Sequence, residues 1–243
     1  MAGAILGALC LLCCLGLFFV AEPEASHRHA SLAKSLANVG KDLWSVATAR
    51  TGALALVLCF LPIGSGAASG LWSAVASDWK ASANVVALVT GVANGLVAAV
   101  GCVLGGWICD RMNRKGAYAL FGVLQALCAV AMALAPRTVP MYVVFTLVYA
   151  LITGLTYAGF SAIVLEAMGK GAAATKYSLY ASLSNMPIAY MTTLDGWAHG
   201  KWGAGGMLYA EALFALFGLI VFGLILLIWR GNRSAPAASV PIS

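Results

Sequence analysis

The sequence has little charge. Only 9% of its 243 residues are Asp, Glu, Lys or Arg and 62% are hydrophobic, whereas soluble domains typically carry about 25% charged residues. It also lacks stretches in which apolar and polar residues alternate with a period of two, so we expect no strands. The composition therefore excludes an ordinary soluble domain and indicates helices whose main solvent is lipid.

Several familiar catalytic patterns are absent as well. There is no His-Glu-x-x-His zinc motif, and the stretch Gly159-Phe160-Ser161-Ala162-Ile163 lacks the closing glycine of a nucleophile elbow. None of the three histidines lies in the middle of a hydrophobic run, no lysine occupies a mid-helix position for a retinal Schiff base, and the seven cysteines lack metal-ligand spacing. We therefore expect neither an intramembrane enzyme nor a metal or other cofactor.

Seven hydrophobic runs are long enough to cross a bilayer, which requires roughly 20 apolar residues. The first run has the position of a secretory signal peptide, but no basic region precedes it, so we interpret it as a helix. Together the runs predict an all-α fold, a polytopic transmembrane bundle of about seven helices. The runs cover residues 3–20, 51–74, 85–109, 117–135, 141–165, 176–199 and 206–229.

The basic residues predict the orientation of these helices. If residues 21–50 are cytoplasmic, eleven of the fourteen Lys and Arg lie inside and three lie outside, as the positive-inside rule requires. Residues 231–243 then form a cytoplasmic, disordered tail. The net charge of +6 reports this topology, and we expect no nucleic-acid partner. The same orientation places Met1 outside, from which we expect that upstream helices are missing.

The lengths of the connections divide the chain into parts. Residues 1–20 form one helix, and residues 21–50 form either an amphipathic helix on the cytoplasmic surface or a solvated linker. Every later connection is short, so residues 51–230 form a compact six-helix half-bundle. This layout is typical of the middle of a twelve-helix transporter built from two six-helix halves.

Proline and glycine positions predict how the helices bend and pack. Pro62 and Pro187 lie inside hydrophobic runs, where each removes a backbone hydrogen bond and favours a kink. Pairs of glycines spaced four residues apart allow helix backbones to approach closely in lipid. These pairs are Gly66 and Gly70, Gly91 and Gly95, and Gly101 and Gly105.

The loop between the third and fourth runs carries the most specific motif, Gly105-Gly106-Trp107-Ile108-Cys109-Asp110-Arg111-Met112-Asn113-Arg114-Lys115-Gly116. It resembles the loop motif of the major facilitator superfamily, in which glycine is followed by Asp-Arg and then by Gly-Arg-Arg/Lys. We expect Asp110 to pair with Arg114 or to accept from a helix N-terminus. Asn113 replaces the family's glycine and tolerates a left-handed backbone. The motif positions are Gly106, Asp110, Arg111, Arg114 and Lys115.

A second resemblance concerns the substrate. The stretch from Ala174 to Pro187, followed by Asp195-Gly196-Trp197, resembles the eleventh helix of the muropeptide permease and acetyl-coenzyme A transporter family. The resemblance covers residues 41–230 and leaves an N-terminal half unrepresented. It implies a permease of the bacterial inner membrane that imports peptidoglycan fragments with protons. The expected partners are membrane lipid, a small solute such as a muropeptide, a proton, and the missing N-terminal half or a second copy.

Polar side chains within the runs are candidates for binding this solute, because polar groups in lipid are costly. One face of the fifth run and one face of the sixth are polar, and two further amides lie near the middles of the third and fourth runs. The alternative for each residue is a hydrogen bond between helices. The candidates are Tyr149, Thr153, Thr156, Tyr157 and Phe160; Ser178, Ser182 and Asn185; and Asn94 and Gln125.

Two acidic residues, Asp195 and Glu211, lie near the predicted outer ends of consecutive helices. If their carboxyl groups face each other, one of them should hold a proton, which would make a coupling site or outer gate. If they face water or pair with Lys201, they are solvated helix-end charges, and we favour this second interpretation. Glu166, at a cytoplasmic helix end, is expected to have a positional role.

The function that these features favour is secondary active transport of a small polar solute, with proton-coupled muropeptide import as its specific form. A non-transporting membrane subunit or a truncated half-transporter is the alternative, because a central transport cavity draws residues from both halves. An intramembrane serine hydrolase is disfavoured, since Ser161 and His199 lie at opposite ends of their helices.

Overall fold

The computed structural model describes residues 7–8, 11–12, 14–15, 32–168 and 173–231. In these residues all regular structure is helical, which confirms the predicted all-α class. Four helices in this part of the chain are long and apolar enough to cross a membrane. The chain divides into two compact units, Met1–Lys41 and Asp42–Ser243, and the contacts and the cavity described below lie in the second. The first hydrophobic run, 3–20, and the tail, 232–243, fall largely or wholly outside the described residues.

Nine α-helices are described: α1 Leu32–Thr48, α2 Arg50–Leu58, α3 Trp72–Val75, α4 Ala83–Leu88, α5 Asn94–Arg111, α6 Arg114–Leu134, α7 Val139–Met168, α8 Ala173–Leu183 and α9 Asn185–Gly231. Short 3₁₀ helices, Ala67–Leu71 and Ala76–Trp79, flank α3. A π-helical turn, Val89–Ala93, joins α4 to α5. The continuous rods Ala83–Arg111, Arg114–Leu134 and Val139–Met168 each span a predicted run, and α1 lies within the predicted hydrophilic stretch 21–50.

The second predicted run, 51–74, is not one helix, and that prediction was wrong. Helix α2 ends at Leu58, and regular helix resumes only at Ala67. Pro62 lacks the backbone N–H that would continue the helix. Gly64 and Gly66 adopt φ angles of 57° and 70°, left-handed values that L side chains rarely take. Proline and glycine together therefore break the helix where a kink alone was predicted.

The break is held by tyrosine hydroxyl groups from neighbouring helices. Breaking a helix frees backbone carbonyls, which must find donors when water is absent. Tyr190 of α9 donates to the carbonyl of Phe60 at 2.8 Å, and Tyr118 of α6 donates to that of Ile63 at 3.2 Å. The freed backbone groups thus join the broken segment to the rest of the bundle.

Helices α5 and α7 pack with their backbones in direct contact. A Cβ at Gly101 would stand 2.1 Å from the Leu151 carbonyl oxygen, and one at Gly154 would stand 2.1 Å from that of Ala98. No side chain fits at either position, so the predicted Gly101 and Gly105 pair does bring two helices together. The Gly91 and Gly95 pair differs, because a Cβ at either would meet nothing within 4 Å.

The sixth predicted run, 176–199, is divided between two helices. Helix α8 ends at Leu183, and α9 begins at Asn185, so Pro187 lies in the first turn of α9. The first N–H groups of a helix have no intrahelical acceptor, so a proline there causes no kink. The expected kink at Pro187 is therefore a helix boundary. Helix α9 is itself interrupted at Gly203, whose φ of 66° and ψ of −166° are not helical.

Candidate functional site

The helix break, α7 and the α8–α9 junction line an open cavity of about 490 Å³. Its wall combines hydroxyl, amide, aromatic and aliphatic groups, and none of the described residues that line it is charged. From the first segment the wall takes Leu58, Leu61, Ile63, Gly64 and Ser65; from α6 and α7 it takes Tyr118, Thr153, Thr156, Tyr157 and Phe160; from α8, Ser184 and α9 it takes Ser178, Ala181, Ser182, Ser184, Asn185, Pro187 and Ile188.

Both polar faces predicted from the sequence reach this cavity. Four of the five candidates on α7 line it, and so do all three on α8 and α9. Some of these hydroxyl groups are bonded to their own helix: Thr153 donates to the Tyr149 carbonyl at 2.9 Å, and Thr156 donates to that of Ile152 at 2.9 Å. Their oxygens can still accept, so the wall offers hydrogen-bonding groups without net charge.

The two amide side chains predicted as candidates, Gln125 and Asn94, lie in different parts of the bundle. Gln125 of α6 is fully buried, and its Nε2 donates to the Thr153 hydroxyl at 3.1 Å, behind the cavity wall. Asn94 of α5 is half-buried and does not line the cavity. The structure therefore brings Gln125 next to the candidate site and leaves Asn94 apart from it.

Asp195 and Glu211 are buried, at 0% and 1% exposure. The favoured interpretation of solvated helix-end charges was therefore wrong, and Lys201 forms no ion pair with Asp195 in the described chain. The two residues lie at equal sequence distances on either side of Gly203, each about two helical turns from it. Because α9 folds back there, their carboxyl groups come together within interaction range of each other.

Glu211 is bonded to other parts of the bundle. Its Oε1 accepts from the Tyr149 hydroxyl of α7 at 2.6 Å and from the Ser65 hydroxyl of the helix break at 3.4 Å. Tyr149, predicted to face a solute, instead contacts the carboxyl pair. Neither oxygen of Asp195, nor Oε2 of Glu211, has a donor partner among the described residues. Both carboxyl groups are thus buried, and neither forms an ion pair with another described residue.

Ser65 joins the cavity and the carboxyl pair, because it lines the first and bonds the second. Sequence reasoning missed it, since residues 51–74 were read as one helix. The available signal was Pro62-Ile63-Gly64-Ser65-Gly66, a cluster of turn-forming residues inside a hydrophobic run. In membrane proteins, non-helical backbone at membrane depth occurs where it lines a cavity or is buried in protein.

A comparison with known families is consistent with this architecture. The family model described as Major Facilitator Superfamily matches residues 1–192. The chain belongs to the major facilitator superfamily. It is therefore a transporter of the major facilitator type and an integral membrane protein. No curated protein matches the chain.

The loop that carries the major facilitator motif differs in detail from the expectation. Asn113 has φ of −58° and ψ of 120°, and its side chain caps α6 by accepting from the backbone N–H groups of Lys115 and Gly116. Arg114 pairs with Glu166 of α7 at 3.4 Å, and not with Asp110. Of the two alternatives for Asp110, the pair with Arg114 is therefore not formed, and Asn113 does not adopt a left-handed backbone.

The remaining motif residues lie at the surface of this loop. The Arg111 guanidinium stacks on the Trp107 ring at 3.9 Å from its centroid, and a Cβ at Gly106 would meet nothing within 4 Å.

In residues 32–168 and 173–231, no group of three or more His, Cys, Asp or Glu side chains could hold a metal ion.

Proposed function

We propose that this major facilitator protein carries a small polar solute, binds an uncharged part of it in the 490 Å³ cavity and couples its movement to a proton held by Asp195 and Glu211. The observation that carries the proposal is the direct bond from Ser65, a cavity residue, to Glu211 of the buried carboxyl pair. Intramembrane ionisable groups of transporters typically serve as ion or proton sites.

The cavity wall suits an uncharged part of a solute that is rich in hydroxyl or amide groups. Ser178, Ser182 and Asn185 offer small polar groups, while Tyr118 and Phe160 offer rings against which a sugar face can pack. A muropeptide contains such sugars, which agrees with the resemblance in α8 and α9. Its carboxylates would find no basic partner among the described lining residues, so we assign the sugar part to this cavity.

The transport unit in this proposal includes a second six-helix half, either an N-terminal half or a second copy. The family layout supports this, because a central transport cavity draws residues from both halves. The proposed membrane is the bacterial inner membrane, which the muropeptide permease resemblance implies. Residues 21–50 and the C-terminus lie in the cytoplasm in this proposal, because the basic residues of the loops then follow the positive-inside rule.

Uptake into inside-out or right-side-out membrane vesicles tests the proposal. The probe is a radiolabelled muropeptide, offered with a proton gradient, with a sodium gradient, and with a protonophore. We expect accumulation that requires the proton gradient and that the protonophore abolishes. Accumulation driven by sodium alone would contradict proton coupling, and no uptake under any gradient would contradict transport of this solute and favour a non-transporting subunit.

A further inference from the structure

Ser65 occupies a position shared by no other described cavity residue. Its side chain lines the cavity, its Oγ–H donates to Glu211 Oε1 at 3.4 Å, and its Oγ accepts from the Ala67 N–H at 3.2 Å. The cavity hydroxyl groups of Thr156 and Ser184 donate to carbonyls of their own segments, and that of Tyr118 donates to the Ile63 carbonyl. Ser65 alone, among the described lining residues, hydrogen-bonds a carboxylate.

The Ser65 bond to Glu211 is the weaker of the two bonds that Glu211 receives. At 3.4 Å it is much longer than the 2.6 Å bond from Tyr149, and hydrogen bonds weaken with distance. Ser65 also lies in the non-helical segment between α2 and the helix at Ala67–Leu71. Its hydroxyl can therefore turn towards another acceptor while the Ala67 N–H continues to hold its oxygen.

We propose that Ser65 couples the cavity to the carboxyl pair. Its hydroxyl group can donate one hydrogen bond, either to Glu211 or to a solute in the cavity. This inference rests on the proposed function and adds the residue and the direction of coupling. When a solute accepts the hydrogen bond from Ser65, the ionised form of Glu211 loses one of its two hydrogen-bond donors. Loss of a hydrogen bond to a charged carboxylate favours its protonated form.

The direction of coupling that follows is symport. Solute binding draws a proton onto the Asp195 and Glu211 pair, and by reciprocity a protonated pair releases Ser65 for the solute. Tyr149 from α7 donates to Glu211, and Asp195 from α9 lies within interaction range of it. Neither of the two salt bridges in the described chain includes Asp195 or Glu211. Of the two hydroxyl groups that donate to Glu211, only that of Ser65 belongs to a cavity residue, so only its bond depends on the solute.

The test separates proton-driven accumulation from exchange. Full-chain protein in proteoliposomes takes up the radiolabelled muropeptide either against its gradient with a proton gradient, or by counterflow with no net proton movement. Ser65→Ala should lower accumulation at least about five-fold, the lower end of typical coupling between sites. Its counterflow rate should fall by less than its accumulation, because the variant loses one hydrogen bond to the solute while the rest of the wall is intact.

Two further variants make the result specific. Ser65→Thr keeps the hydroxyl and should restore most of the accumulation, while Ser184→Ala removes a cavity hydroxyl that does not bond the pair and should keep the wild-type ratio of accumulation to counterflow. Monodispersity on size exclusion shows that each variant is folded. A parallel fall in both modes for Ser65→Ala, or no fall in either, would overturn the role of Ser65.

Failure of this inference is distinguishable from failure of the proposed function. If wild-type protein exchanges the muropeptide but never accumulates it with a proton gradient, proton coupling itself is wrong. If wild-type protein accumulates it and Ser65→Ala does so equally well, only the assignment of Ser65 is wrong.

Discussion

Tyr149 and Glu211 lie on different helices, and their side chains are joined by a hydrogen bond of 2.6 Å. Both side chains are at most 1% exposed. Hydrogen bonds to ionised groups are shorter and stronger than neutral ones. The pair therefore fixes the depth and direction of the Glu211 carboxyl group relative to α7.

Tyr149→Phe removes this donor without changing the shape of the core. We expect the variant to lose at least about ten-fold in proton-driven uptake, because Glu211 then keeps only the longer bond from Ser65. Loss of a bond to a charged group costs about 1.5–3 kcal/mol. Transport assays and thermal unfolding in detergent measure the two effects. The matched control is Tyr142→Phe, which loses a 3.0 Å bond to the Trp72 carbonyl and should affect stability alone.

Asp195→Asn and Glu211→Gln keep the size of each side chain and remove its ability to exchange a proton. If the pair binds the coupling proton, each variant should abolish accumulation but retain counterflow of the same solute. Glu166→Gln is the control, because Glu166 is 45% exposed and pairs with Arg114 at the surface. Accumulation at wild-type level in both pair variants would disprove their coupling role.

Filling the cavity should block transport without unfolding the protein. Ser182→Phe places a ring among the lining residues of the 490 Å³ cavity, and we expect at least a ten-fold loss of both accumulation and counterflow. Thr193→Phe, at an exposed position of α9 that does not line the cavity, is the control and should transport normally. Unimpaired counterflow by folded Ser182→Phe protein would show that the solute does not use this cavity.

Gly101→Ala should destabilise the bundle, because its Cβ would stand 2.1 Å from the Leu151 carbonyl oxygen. Overpacking of a close contact typically costs about 1–3 kcal/mol. Gly95→Ala is the matched control: nothing lies within 4 Å of its Cβ, and alanine is the better helix former by roughly 1 kcal/mol. In thermal unfolding in detergent, the unfolding temperature of Gly101→Ala should lie below that of wild type and that of Gly95→Ala above it. Equal unfolding temperatures would argue against backbone contact between α5 and α7.

The exposed ion pair of Arg114 and Glu166 should contribute little to stability. Their side chains are 42% and 45% exposed at a distance of 3.4 Å, and such pairs are worth about 0–1 kcal/mol. Glu166→Gln should therefore shift the unfolding temperature by at most a few degrees. A larger loss of stability would mean that this loop has a structural role beyond the pair.

The sequence was most informative where a single physical requirement dominates. Hydrophobic length and low charge predicted membrane helices, and helical spacing placed Thr153, Thr156 and Tyr157 on one face, which does line the cavity. It was less informative where residues far apart in the chain decide the outcome. Ser65 lies in a break within an apparently continuous apolar run, and Asp195 and Glu211, predicted to be solvated, are buried.

The sequence by itself determined the all-helical class, the membrane environment and the polar faces of α7 and of the α8–α9 junction, because periodicity and apolar length are local properties. Only the tertiary structure decided that α2 ends before Pro62, that α9 folds back at Gly203 and that Ser65, Tyr149 and Asp195 converge on Glu211. The physical reason is that burial and hydrogen bonding of a polar group depend on its neighbours in space. Those neighbours come from segments that are distant in the chain.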